Sequence, residues 1–233
     1  MVRAAVLCLA ASVCLTSGCA TTPRSRAFVK IDPPTPAEAQ ADWIGIATSA
    51  DRALIDGLPA RMAAAHALAA KRGGPRLAAD GALIDPAAAL DLAALPPGPY
   101  TCRLIRVDPR GAIASFSPDT CYVDGDAGAV SLTKQNGASL PGGWLHADGT
   151  KRLVFLGALR RRAPDTAAPY GQNAAIDISA IIERVAPFRW RMTMTGKPRN
   201  GLLDVYELVP MTPSVPAPRR TTSARTPRPV RAA

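Results

Sequence analysis

The spacing of apolar residues changes at Pro96-Pro97-Gly98, and this change limits the folds that the chain can adopt. Before it, apolar residues recur at every third or fourth position, which is the period of one buried helical face: Leu54, Leu58, Met62, Ala65 and Leu68. We expect this helix to begin near Ser49 and to end at Lys71-Arg72-Gly73-Gly74. A short second helix is predicted over residues 86–95.

After Pro96-Pro97-Gly98, apolar and polar residues alternate, as in residues 176–183 and 188–195. A period of two predicts strands with one face buried and the other towards solvent. Asn136-Gly137 and Asp148-Gly149 lie between such runs and are typical of hairpin turns. The sequence therefore predicts an α+β fold, with N-terminal helices packed on an antiparallel β-meander of seven or eight strands. Closure removes exposed edges, so we expect a small barrel or a strongly curled sheet.

The N-terminal segment has the pattern of an exported protein. Arg3, an apolar stretch and Thr16-Ser17-Gly18 precede Cys19, as in a cleaved secretory signal over residues 1–18. A cysteine at the cleavage point resembles the lipobox of bacterial lipoproteins, in which the thiol takes a diacylglyceryl group. Cleavage by ordinary signal peptidase, giving a soluble secreted product, is the alternative. A permanent transmembrane helix would need about 20 apolar residues, more than this stretch supplies.

Acylation of Cys19 would anchor the protein to a membrane of the bacterial cell envelope. Two or three acyl chains hold a protein firmly, because each buried methylene contributes roughly 0.8 kcal/mol. Ala20, where an aspartate would favour the inner membrane, indicates the outer membrane facing the periplasm. Residues 19–35 are then a tether, residues 36–210 a single domain, and residues 211–233 a disordered tail rich in proline and arginine.

The formal net charge of +10 lies mostly outside the predicted domain. Residues 36–210 contain 19 lysines and arginines against 17 acidic residues, so the domain lacks the basic face that indicates nucleic-acid binding. Export argues against nucleic acid as well. Residues 211–233 contain five arginines and no acidic residue. This tail is a candidate for electrostatic binding to anionic envelope polymers.

Cys102 and Cys121 are the two cysteines left after the signal segment and Cys19. Each lies in a strand-like run, and the periplasm is oxidising, which favours a disulfide. Such a bond would close a loop of about 20 residues and stabilise the fold by roughly 3 kcal/mol. Two free thiols or a metal site are the alternatives, but the sequence around the pair has no further metal ligands.

The sequence has no recognisable catalytic, cofactor-binding or metal-binding motif. The two histidines, His66 and His146, lie far apart and outside any zinc motif, so we interpret both as structural or exposed. Asp124-Gly125-Asp126-Ala127-Gly128 begins like a calcium loop. However, Ala129 and Gln135 occupy the places where an EF-hand needs glycine and a carboxylate. We therefore predict a turn here and expect no cofactor or metal.

Three consecutive arginines, Arg160, Arg161 and Arg162, open a predicted loop over residues 160–169. Guanidinium groups bind phosphate and carboxylate in bidentate geometry. The three arginines are therefore a candidate anion-binding site for envelope lipids or polymers, and a solvated run of charge is the alternative.

Two functions fit these observations. The first is a noncatalytic envelope module that binds a ligand or partner, or braces the envelope, because small barrels can hold one ligand in their interior or mouth. The second is a hydrolase that acts on envelope polymers through carboxylates. It requires two of five side chains to meet in one cleft, roughly 5–10 Å apart: Asp148, Asp177, Glu183, Asp204 and Glu207. We interpret Asp204 and Glu207 as solvated positions on opposite faces of one strand.

A set of short motifs runs in order along most of the predicted domain: Asp42-Trp43, Asp51-Arg52, Pro97-Gly98-Pro99-Tyr100-Thr101-Cys102-Arg103, Cys121, Lys134, Gly143-Trp144-Leu145, Arg152-Leu153-Val154-Phe155-Leu156-Gly157, Tyr170-Gly171, Trp190-Arg191 and Leu203-Asp204-Val205-Tyr206-Glu207-Leu208. Together they resemble the family of exported bacterial proteins called domain of unknown function 4893. The resemblance implies no activity, and it supports the pairing of Cys102 with Cys121. Relatives often have Gly-Ser-Gln-Arg where this chain has Gly137-Ala138-Ser139-Leu140, so a role carried by that glutamine and arginine would be missing here.

Overall fold

The computed structural model describes residues 42–126, 129–196, 198 and 201–211. They begin with three helices, α1 (Asp42–Ile46), α2 (Ser49–Arg72) and α3 (Pro75–Ile84), followed by a single 3₁₀ turn at Pro86–Ala88. None of these helices is long and apolar enough to cross a membrane. The predicted signal, the tether with Cys19, and residues 212–233 of the predicted tail lie outside the described residues.

Nine antiparallel strands follow the helices. They are β1 (Gly98–Val107), β2 (Ile113–Ser115), β3 (Asp119–Asp126), β4 (Ala129–Lys134), β5 (Leu140–Asp148), β6 (Arg152–Arg160), β7 (Asp177–Ala186), β8 (Arg189–Met194) and β9 (Leu203–Pro210). Strand β1 pairs with both β3 and β9, so β1 and β3–β9 close an eight-stranded barrel. The short β2 pairs with the end of β1 beyond β3. This confirms the predicted α+β barrel.

The turns between strands follow the predicted glycines. Gly149 joins β5 to β6 with a φ of 72°, and Gly137 lies between β4 and β5 with a φ of 79°. Glycine adopts such a left-handed conformation without the steric cost that a Cβ atom imposes. The calcium-like stretch lies at the β3–β4 hairpin, where Asp126 pairs with Ala129. Residues 127 and 128 lie outside the described residues.

Two apolar clusters lie on the two faces of the barrel wall. The inner cluster fills the barrel with alternate side chains of the strands, such as Phe155, Ile182 and Met192. The outer cluster joins the neighbouring side chains, such as Val154 and Ile181, to helices α1, α2 and α3. Because successive side chains of a strand alternate between its two faces, a single strand contributes residues to both clusters.

The prediction that one face of β7 and β8 lies towards solvent is wrong. Ser179, Thr193 and Arg191 on that face are buried, because the helices cover it. Arg191 is fully buried, and its guanidinium pairs with Glu183 at 2.7 Å and donates to two backbone carbonyls. A buried arginine persists only where such partners replace water.

Helix α2 has the predicted extent, and its N-terminus is capped one residue earlier than expected. The hydroxyl of Thr48 accepts the N–H of Asp51, which satisfies one free donor of the first turn. The helix ends at Arg72 and is followed by Gly73, as predicted. Its buried face is shifted slightly from the predicted one and contains Ile55, Leu58, Met62, Ala65 and Ala69.

The predicted second helix over residues 86–95 is wrong. The helix lies earlier, as α3, and begins at Pro75, whose fixed φ suits a first helical position. Residues 86–95 contain the 3₁₀ turn at Pro86–Ala88, which Asp85 caps with its side chain. The rest of this segment is irregular, with a φ of 64° at Leu92, and it pairs with the end of the barrel, as described below.

Candidate functional site at the mouth of the barrel

One end of the barrel, where β1 begins, is filled. Residues 90–97, here called the closing segment, bond to β7, to β8 and to the β5–β6 turn. The indole N–H of Trp190 donates to the carbonyl of Ala93 at 3.1 Å. The hydroxyl of Tyr100 donates to the carbonyl of Pro96 at 2.6 Å. The polar atoms of both large side chains at this closed end are therefore satisfied.

The opposite end, where β1 ends and β9 begins, is here called the mouth, and charged side chains lie inside its wall. Arg106 binds Asp204 in bidentate geometry, with both N–O distances at 2.6 Å. The buried ammonium of Lys134 pairs with Asp119 at 2.8 Å and donates to two loop carbonyls at 2.7 and 2.8 Å. Each of the two cations thus has a carboxylate partner, which offsets the cost of removing it from water.

A cavity of about 320 Å³ opens at the mouth. Its apolar wall is formed by Leu54, Pro141, Leu159, Ile178 and Met194. Its polar groups belong mainly to Asp51, Asp177, Ser179, Thr195, Asp204 and Tyr206. An apolar pocket with a few convergent polar groups is the usual form of a small-molecule site.

Tyr206 on β9 lines this cavity, and its hydroxyl bonds to no residue in the described part of the chain. As a whole the residue is 5% exposed. Burial, followed by the negative charges of Asp204 and Asp119, raises the pKa of Tyr206 to about 12. The phenol is therefore neutral near pH 7 and can both donate and accept a hydrogen bond.

Asp51, in the first turn of α2, connects that helix to the barrel at the cavity rim. Its carboxylate accepts hydrogen bonds from the hydroxyls of Ser179 (2.9 Å), Thr48 (3.0 Å) and Tyr170. Ser179 also bonds to Thr195 at 2.6 Å. The pKa of Tyr170 is raised, first by burial and then by the bond to Asp51. Three hydroxyls and the helix N-terminus thus stabilise the charged carboxylate.

Asp177 begins β7 on the same rim. Its Oδ2 accepts the N–H of Gly171 at 3.1 Å, whereas its Oδ1 is buried and has no hydrogen-bond partner among the described residues. Neither Asp177 nor Asp51 forms an ion pair with a lysine or arginine in the described ranges. No group of three or more potential metal ligands occurs there either.

Cys102 and Cys121 form the predicted disulfide. Both cysteines lie in the inner cluster and are buried, at 0% and 2% exposure. The alternatives of free thiols and of a metal site at this pair are therefore excluded. The cystine does not line the cavity, so its role is structural.

Two of the three consecutive arginines support their own loop. Arg160 donates to the carbonyls of Ala163 at 2.6 Å and Asp165 at 3.0 Å. Arg162 pairs with the carboxylate of Asp165 at 3.0 Å. Arg161 is exposed. Anion binding at these residues stays a prediction, and none of them lines the mouth cavity.

Of the five carboxylates proposed for hydrolysis, Asp177 and Asp204 line the same cavity. The interpretation of Asp204 and Glu207 as solvated is wrong, because both are paired with arginine and largely buried. They do lie on opposite faces, Asp204 inside the barrel and Glu207 under α3. The other three form ion pairs elsewhere on the wall: Asp148 with Arg152 (2.6 Å), Glu183 with Arg191 (2.7 Å), and Glu207 with Arg103 and Arg189 (both 2.6 Å).

Sequence reasoning did not identify the cavity residues Asp51, Tyr206 and Ser139. Alternation along β9 places Tyr206 on the same face as Asp204, so the sequence could have predicted that the two side chains share a face. Asp51 was noted only as part of the motif Asp51-Arg52. Ser139 lines the cavity with a φ of 52°, and the adjacent Leu140 is buried.

Comparison with known proteins agrees with the resemblance seen in the sequence. Residues 43–208, from α1 to β9, match the model of the family described as Domain of unknown function (DUF4893). Searches of the curated proteins and of the solved structures found no match. Because the family match covers well over half of the chain, the chain belongs to the family Domain of unknown function (DUF4893).

Proposed function

We propose that this protein is a noncatalytic binding module of the bacterial cell envelope that takes one small ligand in the mouth cavity. The cavity itself is the observation that carries the proposal. It has a volume of about 320 Å³, an apolar wall and polar groups at its rim, and it opens at one end of a barrel whose other end is filled. These are the features by which ligand-binding sites differ from packing defects.

The charges of the mouth support binding over catalysis. Asp204 is held at both oxygens by Arg106, and Lys134 by Asp119 and two carbonyls. A general acid or base must reach the proton that it transfers, and Arg106 already occupies both oxygens of Asp204. We therefore assign these pairs to keeping the mouth open and rigid.

The placement of the protein rests on its N-terminal sequence. Cys19 follows a secretory signal pattern, and Cys102 and Cys121 form a disulfide, which is common in exported proteins and rare in the cytosol. We propose that Cys19 is acylated and that the protein is held at the outer membrane, facing the periplasm. Metabolic labelling with a palmitate analogue tests this. The wild type should take up the label and Cys19→Ser should not, and equal labelling would contradict the anchor.

Capture of a native ligand tests the binding role. The protein is purified from the envelope in mild detergent, and released small molecules are identified by mass spectrometry. Gly196→Phe should abolish capture, because Gly196 lines the cavity and a Cβ there meets no atom within 4 Å, so the ring can fill the site without backbone strain. Gly57→Phe, at another open glycine on the exposed face of α2, is the matched control. Equal capture by both variants would overturn the proposal.

A carboxylate-dependent hydrolase of envelope polymers is the second candidate, because Asp177 and Asp204 share the cavity. It predicts that purified peptidoglycan incubated with the protein releases soluble fragments, and that Asp177→Asn stops the release. Absence of fragments with the wild type would remove this candidate.

The arginine-rich tail is a separate proposal. Deleting residues 211–233 should weaken retention on anionic envelope polymers, most strongly at low salt.

A further inference from the structure

The wall of the mouth cavity carries uncompensated negative charge. Three aspartates line it, Asp51, Asp177 and Asp204, and no lysine or arginine does. The charge of Asp204 is compensated by Arg106. The other two carboxylates have no ion-pair partner in the part of the chain that the structure describes. The remaining excess is therefore about two negative charges at the rim.

Two polar atoms at this site have no partner. The buried Oδ1 of Asp177 accepts no hydrogen bond from the described residues. The hydroxyl of Tyr206, on a side chain that is 5% exposed and lines the cavity, is likewise without a bond there. Leaving a buried polar atom unsatisfied is destabilising, and more so for a charged group. A ligand with N–H donors would satisfy both.

The nearby cation on α2 does not fill this role. Arg61 donates to the backbone carbonyl of Met194 at 3.0 Å and forms no ion pair with any described carboxylate. Burial lowers the pKa of its guanidinium. The three hydroxyls on Asp51 solvate that carboxylate without neutralising it. A positive charge is therefore still missing from the cavity.

We propose that the ligand of the mouth cavity is an organic amine, whose ammonium group lies between Asp177 and Asp51 and whose apolar body lies against Ile178, Met194 and Leu159. This inference rests on the proposed binding function and names its ligand class. An ammonium has three N–H donors, enough for Asp177 Oδ1 and Tyr206 together with one oxygen of Asp51. The apolar wall gives the rest of the ligand a surface to bury.

Three probes with one apolar ring and different head groups test the ligand class. Cyclohexylammonium, cyclohexanecarboxylate and cyclohexanol are titrated into the full-length protein at pH 7.5 and 150 mM salt, with a detergent-only blank. The amine should bind at least roughly 10-fold more tightly than the other two, because a hydrogen bond to a charged group contributes more than one between neutral groups. Binding is measured by calorimetry or by ligand-observed nuclear magnetic resonance.

Asp177→Asn removes the charge while keeping an oxygen that can accept the N–H of Gly171. It should weaken binding of the amine by roughly 10-fold and leave the alcohol nearly unchanged. Asp56→Asn, at an exposed aspartate of α2 outside the cavity, is the matched control and should change neither. Tyr206→Phe serves as a second variant that leaves every charge in place, and it should weaken the amine by a few-fold.

The outcomes separate the two proposals. If the three probes bind equally and Gly196→Phe abolishes all of them, the cavity binds ligands but the amine class is wrong. The amine class is also wrong if Asp177→Asn, folded by circular dichroism, binds the amine as tightly as the wild type does. If no probe binds and no native ligand is captured, both proposals fail. Tight, Asp177-dependent binding of the amine alone would support both.

Discussion

The two ends of the barrel differ in whether the polar atoms of their side chains are hydrogen-bonded. At the closed end, the indole N–H of Trp190 and the hydroxyl of Tyr100 each donate to a carbonyl of the closing segment. At the mouth, the hydroxyl of Tyr206 and one oxygen of Asp177 have no partner among the described residues. Both ends belong to one barrel with a continuous apolar interior. We therefore attribute the difference to a structural role of the closed end and a binding role of the mouth.

The two tyrosines make this contrast clear. Tyr100 is 1% exposed and Tyr206 is 5% exposed, and burial raises the pKa of each to about 12. The hydroxyl of Tyr100 has the partner that a buried polar group nearly always has. The hydroxyl of Tyr206, a residue that lines the cavity, has none in the described structure. A protein that leaves polar atoms unsatisfied in an accessible cavity keeps them available for a ligand.

Trp190→Ala should have the largest effect and tests whether the closed end is structural. Trp190 is 4% exposed and meets Tyr100 edge-on, with ring centroids 6.1 Å apart. Truncating a buried tryptophan costs about 3–5 kcal/mol of the free energy of unfolding, as measured by chemical denaturation. Trp144→Ala is the control for the same change at a side chain that is 52% exposed, and it should cost less than about 1 kcal/mol. Similar losses in both variants would contradict the assignment.

Removing the disulfide should have the next largest effect, and it acts on both ends together. In register, Cys121 pairs with Tyr100 of the closed end and Cys102 with Asp119 of the mouth. Replacing both cysteines by alanine should lower the free energy of unfolding by about 3 kcal/mol, mostly because the unfolded chain gains entropy. Hydrogen exchange should then speed up at both ends. Faster exchange at one end alone would mean that the two ends unfold independently.

Much of the fold was predictable from the sequence because the strands alternate regularly and glycines mark the turns. Closure into a barrel follows from the need to pair the edges of a long meander. The buried polar face of β7 and β8 was not predictable. Arg191 and Thr193 look like solvent-facing residues locally, and their burial depends on helices placed more than a hundred positions earlier.

The candidate site was less predictable than the fold. Asp204 and Asp177 were among the five carboxylates considered, but the sequence cannot tell that Arg106 neutralises one of them and leaves the other unpaired. The contribution of Asp51 depends on the first turn of α2 lying at the rim of a barrel whose first strand begins about fifty residues later. Such contacts come from tertiary packing, which residue spacing does not encode.

Alkaline titration compares both ends in one experiment. Because the folded pKa of Tyr100 and Tyr206 is about 12 against an ordinary value of 10, the folded protein keeps protons that the unfolded chain releases. Below pH 10 these two groups therefore leave the free energy of unfolding unchanged. As the pH rises from 10 towards 12, the free energy of unfolding falls. Denaturation between pH 9 and 11 covers half of this interval, so the loss should be smaller than that of the disulfide. Each Tyr→Phe variant should flatten the dependence, and an unchanged slope in both would contradict this cause.

The smallest effect is expected from a matched pair of hydroxyl deletions, Tyr100→Phe and Tyr206→Phe. Tyr100→Phe removes the bond to the carbonyl of Pro96, so it should cost about 1 kcal/mol in chemical denaturation at pH 7. Tyr206→Phe removes a hydroxyl with no partner in the described structure, so the change should stay within about 0.5 kcal/mol of zero. A loss at Tyr206 as large as that at Tyr100 would mean that the mouth hydroxyl stabilises the fold itself. The contrast between the two ends would then disappear, because the mouth would hold its polar groups for stability, as the closed end does.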